Sequence, residues 1–220
     1  MSSNEKTFQK RRILSLIIIV FLSIIAVFSN PDFWSKKSPN QQTSQISQDL
    51  NSLQVKGRAP KTGYSREQFG KGWAKDPSGC DTRNRILKRD LKEARENSKC
   101  QIISGILDDP YTGKQIIFSR EKASAVQIDH VVALSDAWQK GAQQISGEER
   151  KQLANDPLNL LASDGPANQQ KGDSDAATWL PSNKSFRCEY IKRQISVKKK
   201  YKLWVTQAEK SAMQTVLTNC

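Results

Sequence analysis

Histidine is almost absent from this chain, because His130 is the only one in 220 residues. Cysteine is also scarce, and no two of the four cysteines have the CxxC spacing of a thiolate metal site. These two shortages disfavour zinc, which binds through several imidazole or thiolate ligands. The sequence also lacks internal repeats and, after residue 61, a further break in composition, so one folded domain over residues 62–220 is expected.

Long apolar runs are missing except for one, Ile13–Phe28, which follows the basic segment MSSNEKTFQKRR. A basic region before an apolar core predicts a signal peptide or a signal anchor within residues 1–30, and the length of the run fits both. The poor cleavage pattern at Val27-Phe28-Ser29 favours an anchor in the cytoplasmic membrane. Either form places the rest of the chain outside the cytoplasm.

Residues 31–61 are rich in Ser, Gln, Asn and Pro, which predicts a low-complexity linker. Within it, Ile46, Leu50 and Leu53 have helical spacing and predict a short amphipathic helix that packs on the domain.

The stretch AVQIDHVVALSDAW, residues 125–138, contains Asp129 and His130 side by side. Val126 and Ile128 alternate with polar residues and predict a strand that ends at this pair, with a helix after it. Histidine is the one side chain whose ordinary pKa lies near neutrality, so its pairing with a carboxylate points to proton transfer. The alternative is a histidine that is simply satisfied in a core.

A second polar stretch, NDPLNLLASDGPANQQKGD, covers residues 155–173. Its leucines predict a short buried strand next to Asn159, and Gly165-Pro166 predicts a helix that carries Asn168. Hydrolysis of a phosphodiester needs a base for the water and a cation for the developing charge. His130 fits the base, and Asp129 and Asn168 offer oxygen ligands for Mg²⁺, Mn²⁺ or Ca²⁺. Asn159 would orient the imidazole or support the motif, although asparagines in such segments also serve as structural caps.

Five motifs stand in order along the chain: GCDTRN (79–84), DHVVAL (129–134), DPLNL (156–160), ANQQKG (167–172) and WLP (179–181). Together they resemble the HNH endonuclease superfamily, in particular its secreted or surface-anchored bacterial family. The resemblance implies an α+β fold with a ββα-metal core of the HNH or His-Me finger type. It assigns His130 and Asn159 to catalysis and Asp129 and Asn168 to the metal, and it makes Arg83 a candidate phosphate contact. A solvated basic face is the alternative for Arg83.

Around this core the sequence predicts further elements. Residues 101–107 and 114–118 flank the turn DDPYTG and predict a β-hairpin. Helices are predicted from Asp81 or Thr82 to Glu96 and over residues 131–141, 147–154, 183–201 and 206–217. Four cysteines in an exported chain predict two disulfides. Of the three possible pairings we favour Cys80–Cys100 and Cys188–Cys220, because each joins the ends of a local helical segment.

The formal net charge of +13 suits a polyanionic partner such as DNA or RNA, although anionic lipid or cell-wall polymer would also fit. Lys171 lies nearest in sequence to the predicted metal site and is a candidate substrate contact. No motif for reading base sequence is present, so low sequence specificity is expected. We therefore predict an exported, monomeric, metal-dependent endonuclease. The alternative is a catalytically silent nucleic-acid-binding surface protein that assists DNA capture.

Overall fold

The computed structural model describes residues 39–220, with side chains from Ser44 onward, and the predicted signal segment lies outside them. The α-helices of this part are α1 (Pro39–Ser52), α2 (Thr82–Asp90), α3 (Leu134–Ala137), α4 (Gly147–Asn155), α5 (Gly165–Lys171), α6 (Arg187–Lys200) and α7 (Gln207–Thr218). Short 3-10 segments cover Arg66–Phe69, Arg120–Ala125 and Lys184–Phe186, and a π-helical stretch, Trp138–Ala142, continues α3. None of the helices in residues 39–220 combines the length and apolar character needed to cross a bilayer.

Two small antiparallel sheets accompany these helices, which confirms the α+β class. Strands β1 (Lys92–Glu96), β2 (Ile102–Asp108) and β3 (Gln115–Ser119) form the first sheet in that order. The predicted hairpin is confirmed by the pairing of β2 with β3, in which Gly105 lies opposite Phe118. Strands β4 (Val126–His130) and β5 (Leu160–Asp164) form the second sheet, and His130 lies opposite Leu160.

Helix α5 follows β5 without an intervening loop, so the chain forms a strand–strand–helix unit. Asp164 caps the helix by accepting a hydrogen bond of 2.8 Å from the Ala167 amide, and Pro166 stands in the first turn, where a missing N–H has no cost. Gly165 is needed here because a Cβ at this position would lie 2.1 Å from the Ser124 carbonyl oxygen. This close approach holds α5 against the start of β4.

The end of β4 lies where three apolar clusters meet. Val131 belongs to the cluster built on α6 and α7, Val132 to the cluster beside α4, and Ile128 to the cluster between α2 and the sheets. Apolar packing by these three clusters fixes the backbone around the Asp129-His130 pair, which therefore holds its two side chains rigidly.

Helix α2 ends earlier than predicted. Asp81 caps it as expected, accepting a hydrogen bond of 2.7 Å from the Asn84 amide, and Ile86 and Leu87 are buried. However, the helix stops at Asp90, so the prediction that it runs to Glu96 is wrong. Residues 92–96 have strong helix propensity, but pairing with β2 overrides it, and they form the edge strand β1.

Helix α3 begins at Leu134, three residues later than the predicted start at 131. The backbone at Val132 forms a bend and not a helical turn, because both of its polar groups pair with the Asn159 amide side chain instead of helical partners. The helices predicted over 147–154, 183–201 and 206–217 are confirmed by α4, α6 and α7, with Thr206 as the cap of α7.

The amphipathic helix predicted in the linker is confirmed by α1. Leu50 and Leu53 are buried in the cluster built on α6 and α7, and Ile46 packs against it. Beyond the helix, Val55 pairs with Val205, and the Ala59 amide donates a hydrogen bond of 2.8 Å to the Gln139 carbonyl. The compact unit of the structure therefore begins at Thr43, ahead of the predicted domain start at residue 62.

A buried network of charges joins α3, α6 and α7 to the segment that precedes the 3-10 turn Arg66–Phe69. Lys140 lies 2.7 Å from carboxylate oxygens of Asp136, Asp175 and Glu209, and its side chain is fully buried. Lys198 and Arg58 complete the network, which holds three cations and three carboxylates. Buried charges are tolerated only when they are paired in this way.

Both predicted disulfides are confirmed. Cys80 is bonded to Cys100 and Cys188 to Cys220, so all four cysteines are paired. The first joins the start of α2 to β2, and the second joins α6 to the end of α7. Each closes a loop and so stabilises the fold by limiting the unfolded chain.

Candidate active site

A cleft of about 340 Å³ opens between the end of β4, α3 and α5. Asp129, His130 and Asn168 line it together, so the structure brings three of the sequence-predicted residues to one place. The remaining lining residues come from the same elements and from residues 64–66: Tyr64, Arg66, Gln127, Ile128, Ala133, Leu134, Ser135, Gln169, Gly172 and Asp173.

His130 is held by a backbone carbonyl. Its Nε2 lies 2.9 Å from the Ala154 carbonyl oxygen, in the last turn of α4, where carbonyls lack helical partners. A carbonyl only accepts hydrogen bonds, so Nε2 carries the proton and Nδ1 is the unprotonated, basic nitrogen. The ring also stacks on Trp73, with 5.7 Å between centroids and 7° between planes. Both contacts fix the orientation and the tautomer of the imidazole.

Burial favours the neutral form of the imidazole. Only 6% of the residue is exposed, and this burial lowers the pKa of His130 to about 3. The hydrogen bond to the Ala154 carbonyl acts in the other direction and raises the pKa. The charge of Arg66 also acts to lower it. A neutral imidazole can accept a proton, as a general base must.

Asp129 has two partners that the sequence did not indicate. Its carboxylate accepts a hydrogen bond of 2.5 Å from the Tyr111 hydroxyl and one of 2.9 Å from the Lys171 ammonium. Burial raises the pKa of Asp129, and the charge of Lys171 opposes that rise. The His130 backbone N–H is a third hydrogen-bond donor to this carboxylate, so three of its roughly four lone-pair sites are engaged.

Lys171 is fully buried, which contradicts its predicted role as a substrate contact. Its Nζ lies 2.9 Å from Asp129 Oδ1 and 2.9 Å from the His130 carbonyl oxygen. Since the ammonium is enclosed beneath the cleft, it cannot reach a phosphate. Lys171 instead neutralises Asp129 and holds the end of β4 against α5.

Asn159 is also fully buried and does not contact the imidazole. Its Oδ1 accepts a hydrogen bond of 2.8 Å from the Val132 amide, and its Nδ2 donates to the carbonyls of Val132 and Leu153, each at 3.3 Å. Asn159 therefore ties the backbone after His130 to the end of α4, the helix that also orients the imidazole. It supports the motif, one of the two roles expected from the sequence.

Asn168 lines the cleft. Its Nδ2 donates a hydrogen bond of 2.8 Å to Gln127 Oε1, which leaves Oδ1 as the atom available to a ligand. Gln127 lies on β4, two residues before Asp129, so this hydrogen bond attaches the Asn168 side chain to the strand that carries His130.

Arg83 lies away from the cleft, because its guanidinium donates to the carbonyls of Ala123 and Val126, at 3.4 and 3.2 Å. Burial lowers the pKa of Arg83. The predicted phosphate contact does not fit this position, since the side chain is engaged in fastening α2 to the start of β4. A solvated basic face does not fit either.

Three side chains of the site were missed by sequence reasoning: Tyr111, Trp73 and Arg66. Tyr111 stands in the turn DDPYTG, which indicates only a hairpin, and Trp73 and Arg66 lie more than 50 residues before His130. No local pattern links them to the Asp-His pair, so only the fold could reveal them.

The donor chemistry of the cleft is that of a hard cation. Its carboxylate and amide side chains offer oxygen, whereas a second imidazole and a thiolate are missing from its lining. Elsewhere in residues 39–220, the one group of three close His, Cys, Asp or Glu side chains is Cys80, Glu96 and Cys100. Both of its cysteines are in a disulfide, so that group offers no thiolate for a metal.

Comparisons with known proteins place the chain in a family. A model of the C-terminal domain of GmrSD restriction endonucleases matches residues 81–216, more than half of the chain. An "uncharacterized secreted protein" from Arthroderma benhamiae is 38% identical over 185 residues, which cover 83% of this chain and 88% of the relative. No solved structure matches. The matched region contains the strand–strand–helix unit with His130 and Asn168, and the chain belongs to the nuclease family of GmrSD restriction endonuclease C-terminal domains.

Proposed function

We propose that this protein is an exported, metal-dependent endonuclease of the HNH type, which hydrolyses phosphodiester bonds of DNA with low sequence specificity, and for which RNA is a second candidate substrate. One observation carries the proposal. The only histidine donates its Nε2 proton to a helix-end carbonyl and therefore holds Nδ1 free as a base, on a cleft that also contains the Asn168 amide. Membership of a nuclease family and the +13 charge support a nucleic-acid substrate.

The reaction follows from the site residues. His130 Nδ1 accepts the proton of a water molecule, and the oxygen of that water forms a new bond to phosphorus while the bond from phosphorus to the leaving sugar oxygen breaks. The leaving oxygen takes a proton from solvent, so that the products are a phosphate monoester and a free hydroxyl. The Ala154 carbonyl stabilises the protonated imidazole through Nε2, and Trp73 keeps the ring in place. Lys171 holds the carbonyl of His130 and Asn159 holds the backbone at Val132, so that the base keeps its orientation during the reaction.

Asn168 Oδ1 and the Asp129 carboxylate would hold a divalent cation. Two protein oxygens suit Mg²⁺, Mn²⁺ or Ca²⁺, which complete their shells with water and substrate oxygens, and they do not suit zinc. When bound, such an ion neutralises the negative charge that develops on the phosphate. The proposed core is thus a ββα-metal unit formed by β4, β5 and α5.

Export is part of the proposal. Two disulfides are typical of an oxidising compartment, and the relative from Arthroderma benhamiae is named as secreted. We infer that the apolar segment within residues 1–30 targets the chain and anchors it in the cytoplasmic membrane, with a monomeric domain outside. Expression with a tag at each end, followed by cell fractionation and protease treatment, tests this arrangement.

Plasmid cleavage tests the proposed activity directly. The purified protein is expected to nick and linearise supercoiled plasmid in Mg²⁺ and to leave it intact in excess EDTA, since the cation is needed for charge neutralisation. Retardation of the plasmid without cleavage, in every divalent metal tried, would instead favour the catalytically silent DNA-binding protein.

The cation ligand has its own prediction. We expect Asn168→Ala to raise the Mg²⁺ concentration for half-maximal cleavage by about 10-fold or more. The lost contact between the amide oxygen and the cation is expected to cost as much binding free energy as a hydrogen bond to a charged group, on the order of 1.5–3 kcal/mol. Gln169→Ala is the matched control, because Gln169 lines the same cleft one residue away. An Asn168→Ala titration that overlays the control would remove Asn168 from the ligand set.

A further inference from the structure

Arg66 stands on the cleft wall beside His130, at the start of the 3-10 turn Arg66–Phe69. It lines the cleft, and it also lines a small adjoining pocket of about 80 Å³ on the Trp73 side of the imidazole. The guanidinium and the base therefore face the same space.

The turn that carries Arg66 is firmly attached to the domain. Phe69 is buried, and the Gln68 carbonyl accepts a hydrogen bond of 2.9 Å from Arg150 Nε on α4. Tyr64 packs edge-on against Trp138, with 6.2 Å between ring centroids. The backbone at Arg66 is thus fixed at the rim of the cleft, while the side chain itself is exposed.

Arg66 is the only cation among the residues that line the cleft. Its guanidinium forms no hydrogen bond or ion pair with any residue that the structure describes. Two ammonium groups next to the cleft are already engaged: Lys171 is enclosed on Asp129, and Lys61 is paired with Asp173, a cleft residue, at 3.1 Å. Arg66 is therefore available to bind an anion from solution next to His130.

We propose that Arg66 binds the non-bridging oxygens of the phosphate that is cleaved, and that it positions this phosphate in front of His130. A guanidinium presents parallel N–H donors that match two phosphate oxygens, which an ammonium cannot do. The proposal rests on the proposed function and deepens it. It also assigns part of the substrate site to a segment before residues 81–216, the region matched by the family.

Binding and cleavage together test the role of Arg66. In the His130→Ala background, binding of a fluorescent DNA duplex is measured over a range of salt concentrations, with and without Arg66→Ala. Loss of one phosphate contact should weaken binding and reduce the slope of log K against log salt by about 0.9. With His130 intact, Arg66→Ala should lower kcat about 10- to 100-fold, from the usual strength of hydrogen bonds to charged groups.

Two variants separate geometry from charge. Arg66→Lys keeps the charge and should retain the salt slope, while kcat falls because the two-oxygen contact is lost. Lys71→Ala is the matched control, since Lys71 is an exposed cation near Arg66 that does not line the cleft, and its kcat should equal that of the unchanged chain.

The outcomes distinguish this proposal from the proposed function. If the unchanged chain cleaves DNA and Arg66→Ala matches Lys71→Ala in kcat and salt slope, the role of Arg66 is overturned and the nuclease stands. If the unchanged chain binds without cleaving and Arg66→Ala lowers both affinity and slope, the phosphate contact stands and the hydrolysis fails. Absence of any DNA binding by the unchanged chain would overturn both.

Discussion

Replacing His130 with alanine is expected to reduce phosphodiester cleavage by about 10²- to 10⁴-fold, the usual contribution of a general base. DNA binding should stay close to that of the unchanged chain, because the positive charges of the domain are untouched. The reason lies in the orientation of the ring: Nε2 is committed to the Ala154 carbonyl, so Nδ1 is the atom that accepts the proton. Initial rates of plasmid cleavage and duplex binding by fluorescence anisotropy measure the two effects.

A second substitution separates the chemistry of His130 from its packing. His130→Gln supplies an amide N–H that can donate to the Ala154 carbonyl, but it provides no base. It should therefore be as inactive as His130→Ala while unfolding at a temperature nearer to that of the unchanged chain. Cleavage at the unchanged rate by either variant would reject His130 as the base.

Replacing Lys140 with methionine should destabilise the fold by about 3–5 kcal/mol, the usual cost of removing one partner from a buried ion pair. Lys140 lies 2.7 Å from oxygens of three carboxylates. One of them is Asp175. Burial acts to raise its pKa, but Lys140, Arg58 and the Ala177 amide together outweigh burial, so that the pKa of Asp175 is lowered. Without the ammonium, these carboxylates lose most of their compensation.

Denaturant unfolding under oxidising conditions measures this loss. Lys114→Met is the matched control, because Lys114 is exposed in the β2–β3 turn, and its unfolding free energy should change by less than about 0.5 kcal/mol. Equal unfolding midpoints for the two variants would show that the network contributes nothing to stability. The network also holds Asp136 on α3, directly after the site, so cleavage should weaken together with stability.

Local patterns were sufficient for the elements that carry the site. The alternation around Val126 and Ile128 predicted β4, and Gly165-Pro166 predicted the start of α5, and both are present. These signals are reliable because strand alternation and helix capping depend on residues only a few positions apart. The prediction that residues 92–96 are helical was wrong, because their pairing with β2, which is distant in sequence, outweighs their own helix propensity.

The sequence by itself determined that one histidine sits beside Asp129 at the end of a strand, and that Asn159 and Asn168 follow on the next strand and helix. Only the tertiary structure decided what each of them contacts. The Ala154 carbonyl, Tyr111, Trp73 and Arg66 reach the pair from 18 to 64 positions away in the sequence. Lys171, close in sequence to Asn168, is turned under the cleft by its bond to Asp129. Hydrogen bonding and burial depend on distance in space, which spacing along a chain does not record.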